Sequence, residues 1–235
     1  MSNNLHQAYH QWRSRPADER FFTIGEGLAA ADRYRREART SQVRSDDLKI
    51  VDSDGDVALL GASGKQASFS NFAFGQFAAK CQAPASYLRS LPAPLAAECL
   101  HTSLQNTAPE EMMLLFRENG GLSIRCATSP SYGRIWDSEI LREIEDRLIP
   151  LGWKVPPARP AFPDQPGTRV ATAEDCLSIS LVQPGDLIAP AGVYVSDHDM
   201  FAAMVLEDKT ITAPSGHALH RGFMIANSEV GNRAL

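Results

Sequence analysis

No apolar run in this sequence exceeds a few residues, so nothing in it is long enough to cross a bilayer as a helix. The opening residues, Met1-Ser2-Asn3-Asn4-Leu5, lack the basic-then-apolar order of a secretory signal. A cytoplasmic protein without a membrane partner is therefore expected. Cysteine is scarce: Cys81, Cys99, Cys126 and Cys176 lie far apart, and no pair has C-x-x-C spacing. That excludes a zinc ribbon or a redox dithiol, and buried reduced thiols are expected. Excess positive charge is also missing, with 23 basic against 28 acidic residues and a net charge of −5. A generally basic nucleic-acid binder is excluded, but a local basic face is not. Gly61-Ala62-Ser63-Gly64-Lys65-Gln66 contains Gly-Lys but has neither the glycine spacing nor the following Ser or Thr of a phosphate loop. Ser215 is not part of a G-x-S-x-G elbow. No repeat of solenoid period occurs. No cofactor is expected, and a non-catalytic role is favoured over an enzymatic one.

What is present suits an ordinary folded protein. The 235 residues, 43% apolar and 22% charged, can bury a substantial core. Leu5, Ala8, Tyr9 and Trp12 fall at helical spacing, and Arg15-Pro16 ends that helix. A second helix is predicted from about Gly27 to Arg39. Asp54-Gly55, between the apolar runs 48–51 and 57–60, predicts a hairpin. Ser70 is placed to cap a helix, and Pro84 and Pro94 to start two more. Residues 112–117 and 122–127 read as a second hairpin, turning at Asn119-Gly120. Asp137-Ser138 is expected to cap an amphipathic helix through Ile140, Leu141, Ile144 and Leu148. Strands are predicted at 177–182, 193–195, 200–206 and 223–226.

These elements predict an α+β fold, a mostly antiparallel sheet flanked by helices. Residues 1–153 form a helical and hairpin half, and 171–235 a β-rich half of the same domain. Between them 154–170 contains Pro156, Pro157, Pro160, Pro163 and Pro166, the best linker candidate.

Charge is unevenly spread. Residues 1–49 hold nine basic and seven acidic groups, a surplus of +2, which leaves −7 for the remainder. Arg33, Arg36, Arg39 and Arg44 stand in that stretch, where Arg can read phosphate or simply solvate a helix face. Tyr132, Arg134 and Trp136 alternate as in a strand, which puts two rings and a guanidinium on one side. Arg117 and Arg125 on the preceding hairpin extend that surface. Rings that stack on bases beside arginines that hold phosphates are the parts of a single-strand binding track. Asp197, His198 and Asp199, with His217, His220 and Glu229, are the only metal candidates. Strand alternation turns His198 away from the two aspartates, so the competing reading is a polar turn.

Three passages carry a resemblance. Phe72-Ala73-Phe74-Gly75-Gln76-Phe77-Ala78 is followed by Ala83-Pro84-Ala85-Ser86-Tyr87-Leu88; Ser129 to Asp137 reads SPSYGRIWD; Tyr194 to Phe201 reads YVSDHDMF, and Arg221 to Gly231 reads RGFMIANSEVG. In this order they resemble the phage- and plasmid-associated family known only as domain of unknown function number 932. The similarity covers residues 70–235, and residues 1–69 match weakly. His198 stands where the family commonly has Arg, and the chain stops just after Asn-Ser-Glu-Val-Gly, where the resemblance implies further residues. The resemblance implies a role in DNA maintenance, recombination or defence evasion by mobile elements. The expected function is a self-associating DNA-binding accessory, acting on single strands or in annealing, with DNA as partner. The alternatives are a metal-dependent nuclease or hydrolase using Asp197, Asp199 and Glu229, and a protein-binding inhibitor of host defence.

Overall fold

The computed structural model describes residues 15–61, 64–156, 159–160, 169–170, 186–188, 192–214, 216 and 218–231. The predicted helix around Leu5 to Trp12, the strand at 177–182, Cys176, Ser215, His217 and most of the proline-rich stretch lie outside the described residues. The architecture is α+β and mostly antiparallel. Where one central sheet was expected, the described residues form two, together with a small three-stranded set. The chain forms two compact units, named by their order along the sequence: an outer one from Met1–Arg33 and Ile135–Leu235, and an inner one from Tyr34–Arg134. This division is not the one expected at 154–170. It falls inside helix α1 (Ile24–Glu37) and just before helix α5 (Asp137–Glu143).

The inner unit is built on a six-stranded sheet. Its strands are β2 (Ala38–Arg44), β3 (Lys49–Ser53), β4 (Asp56–Leu60), β5 (Gln66–Phe69), β6 (Glu111–Glu118) and β7 (Leu122–Thr128), in the order β2-β6-β7-β5-β4-β3. Both predicted hairpins form. Asp54 and Gly55 take positive φ values of 52° and 88°, the two left-handed residues a tight hairpin needs, and Ser53 pairs with Asp56. Within this sheet only β5 and β7 run parallel, and local pattern singled out neither β5 nor β2: the helix expected to reach Arg39 ends at Glu37, and the chain continues as strand from Ala38. Helices α2 (Asn71–Lys80), α3 (Ala85–Ser90) and α4 (Ala93–Asn106) follow the predicted starts. Ser70 caps α2, its Oγ accepting from Ala73 N–H at 3.1 Å. These helices bury Phe77, Leu88, Leu100 and Leu104 against Ile50, Leu59, Leu114 and Ile124 of the sheet. Phe69 packs its ring edgewise on Phe77, with centroids 5.0 Å apart.

The outer unit contains a four-stranded antiparallel sheet: β1 (Arg20–Phe21), β11 (Val193–Val195), β12 (Met200–Thr212) and β13 (Ala218–Asn227). The short strands β8 (Arg159–Pro160), β9 (Arg169–Val170) and β10 (Asp186–Ile188) form the three-stranded set. Residues 200–206 of β12 are all buried, so that strand reads as an unbroken apolar run. Helix α1 lies close on β11 at Gly27, where an added Cβ would come within 2.7 Å of Val193 Cγ1. Helix α5 runs on into a π-turn, Ile144–Leu148, and its first turn follows Trp136 rather than a capping Asp.

Candidate functional site

The expected nucleic-acid track does not assemble as drawn. Arg125 is completely buried, at 0% exposure, so it belongs to the interior and not to an open face. It stands at the β6–β7 irregularity, where Leu115 pairs with Cys126 but the next residue, Phe116, pairs with Ile124. That extra residue breaks the alternation on which its outward placement rested. Arg117 is half-buried; its Nε donates to Glu37 at 2.8 Å and its guanidinium lies 4.5 Å from the Tyr34 ring centroid. Residues 132–136 form no strand, so Tyr132, Arg134 and Trp136 have no shared face by alternation. Arg134 is stacked 5.5 Å from the centroid of Tyr132 and contacts Cys126 Sγ at 3.8 Å. Both rings are only partly exposed, and Trp136 belongs to the outer unit, immediately before α5.

The basic run of residues 33–44 keeps its outward placement. Five arginines stand there against one acid, Glu37, which Arg117 neutralises. Arg33, Arg36, Arg39 and Arg44 are all exposed. Arg39 Nη1 donates to the carbonyls of Arg36 and Ala38, both at 2.9 Å, and so closes the C-terminus of α1. Arg44 is held by Asp46 at 2.9 Å. Arg33 belongs to the outer unit, while Arg36, Arg39 and Arg44 belong to the inner one. Strand β2 is an edge strand, and Arg39, Thr40, Ser41 and Gln42 are exposed on both of its faces. The cationic surface is therefore the helix–strand junction from Arg36 to Ser41.

The motif residues of the outer unit converge, but as an internal polar knot. Glu229, 1% exposed, accepts from Asp137 N–H at 2.9 Å and satisfies the first turn of α5. Asn227 Nδ2 donates to the Ile135 carbonyl at 2.9 Å and to Asp137 Oδ1 at 2.7 Å. Ser228 Oγ donates to the His198 carbonyl at 2.8 Å. Residues 196–199 are a turn between β11 and β12, in which Ser196 Oγ accepts from the N–H groups of His198 and Asp199, each at 3.1 Å. Asp199 takes Arg15 at 2.6 Å and Tyr194 Oη at 3.1 Å. Burial pushes the Tyr194 phenol up to about 12, and the Asp199 carboxylate adds to the shift. Asp199 and Glu229 are thus held by protein donors, and Asp197 lies 3.2 Å from His198 Nε2. Among the described residues no three His, Cys, Asp or Glu side chains are grouped to hold a metal ion.

The fold class is settled by these sheets and helices, and no helix among the described residues is long and apolar enough to cross a membrane. No protein-family model, no curated protein and no solved structure matches the chain. Local pattern also missed a cleft in the inner unit, because Asp56, Phe74 and Arg89 come to it from three separate elements.

Proposed function

We propose that this chain is a DNA-binding accessory of a mobile element, and that it holds single-stranded DNA at the junction of α1 and β2. The observation that carries this reading is the exposed, acid-poor surface from Arg36 to Ser41, leading into a strand that is a sheet edge among the described residues. The sequence resemblance supplies the mobile-element context. Arg36 is the working cation: its side chain has no ion-pair partner among the described residues, whereas Arg39 and Arg44 are engaged in structure. Thr40 and Ser41 supply hydroxyl groups for phosphate and sugar oxygens, while the Gln42 amide is held by Glu111 at 2.6 Å. An extended backbone suits an extended single strand, and the polar side chains read no particular base.

Titration of a labelled single-stranded oligonucleotide at two salt concentrations tests this. Binding falls steeply as salt rises, because phosphate contacts release counterions. Arg36→Glu lowers the affinity about tenfold at low salt, since it removes one phosphate contact and adds repulsion. Absence of binding at low salt, or an affinity indifferent to Arg36→Glu, ends the reading.

A further inference from the structure

The inner unit carries a cleft of about 370 Å3 on the side of the sheet packed by helices, within the usual size of small-molecule sites. Its floor is apolar: Phe69, Phe74, Leu88 and Leu91 line it. Its rim carries two opposite charges, Arg89 from α3 and Asp56 from β4. Both side chains are exposed, and among the described residues they make no ion pair with each other. Opposite charges on one small rim that do not close on each other leave a gap that a ligand of matching polarity can bridge.

Arg89 is already positioned. Its guanidinium lies 4.9 Å from the Phe74 ring centroid, and Nη2 donates to the Asn71 carbonyl at 2.9 Å. That leaves other N–H groups of the fork for a carboxylate, in the geometry Arg favours. Asn71 and Ala93, the first residues of α2 and α4, line the same cleft, so the partial positive charge of two helix starts adds to that of Arg89. Asp56 follows the Asp54-Gly55 turn and offers the complementary acceptor.

We propose that this cleft binds a small zwitterion with an apolar body, the chemistry of a free hydrophobic α-amino acid. The carboxylate meets Arg89, the ammonium meets Asp56, and the side chain lies on the phenylalanine and leucine floor. This site is separate from the Arg36–Ser41 surface and does not depend on DNA binding.

Calorimetric titration of the full chain with L-leucine and L-phenylalanine, beside N-acetyl-leucine and leucinamide, tests the assignment. Saturable binding of at least one free amino acid is expected. Blocking either charged end of the ligand weakens it about tenfold or more, the scale of one charge-assisted hydrogen bond. Arg89→Met and Asp56→Asn weaken the parent ligand to a similar degree and narrow its discrimination against leucinamide and N-acetyl-leucine, respectively. Ala93→Trp, which adds a ring at a half-buried lining position on the first turn of α4, abolishes binding. Circular dichroism establishes that each variant is folded, and Ala93→Trp and the ligand derivatives carry the test if Arg89→Met is not. Failure of both amino acids to bind, derivatives that bind as tightly as the parent, or binding that survives Ala93→Trp overturns the proposal.

Discussion

The two units solve the problem of burial differently. The inner unit seals an apolar core between three helices and one face of a sheet, with Phe77, Leu100, Leu104, Leu114 and Ile124 almost fully enclosed. The outer unit buries polar groups as well: Arg20, Asp137, Ser138, Ser196, Ser228 and Glu229 are six of the eight buried polar or charged residues described, and only Ser45 and Arg125 lie in the inner unit. An apolar core gains from area alone and tolerates imperfect direction. A buried polar knot gains only when each donor meets its acceptor, so its geometry is specified more tightly and its failure is more abrupt.

Substitutions can break this contrast at either end. The largest effect is expected from Phe77→Ala, which empties the centre of the inner core and costs about 3–5 kcal/mol. A urea denaturation curve followed by circular dichroism reads it, and a loss of under about 1 kcal/mol would mean that the core is not so closely packed. The next largest belongs to Tyr194 in the outer unit. Its phenol ordinarily ionises near 10 and is pushed to about 12, chiefly by burial. The folded state therefore holds that proton more tightly than the unfolded chain does. The stabilisation is fully present below pH 10 and is lost as pH rises towards 12, on the order of 2–3 kcal/mol. Urea curves between pH 9 and about pH 12 check this as the difference between the unmodified chain and Tyr194→Phe, which has no proton to lose. A pH-independent difference would remove the phenol from the account. The smallest effect is expected from Glu229→Ala, which uncaps α5 at a cost of about 1 kcal/mol, while Glu229→Gln keeps an acceptor for Asp137 N–H and costs less. Equal losses in the two variants would show that the capping bond is not what Glu229 contributes.

The sharpest differences between expectation and structure fall where local pattern meets a distant partner. The hairpin at Asp54-Gly55, the Ser70 cap and the turn at Asn119-Gly120 were legible because each is decided within a few residues. Arg125 was read as outward because strand alternation is strict, and one extra residue in β7 cancels that inference. Glu229 stood in the sequence among the metal candidates. It caps helix α5 instead, through a bond between residues 92 positions apart. Of the candidate contact surface, Arg36 and Arg39 kept their exposed positions, while Arg117, Arg134 and Tyr132 are engaged with neighbouring side chains.

By itself the sequence determined the α+β character, most helix starts and both inner hairpins, because capping, turn chemistry and hydrophobic period act over a few residues. Tertiary structure alone decided that the chain divides into two units, that β5 pairs in parallel with β7, that Asp137 meets Asn227 and Glu229, and that Arg89 and Asp56 share one cleft. Those outcomes depend on which distant segments can pack together without stranding a polar group, and no local window of sequence contains that information.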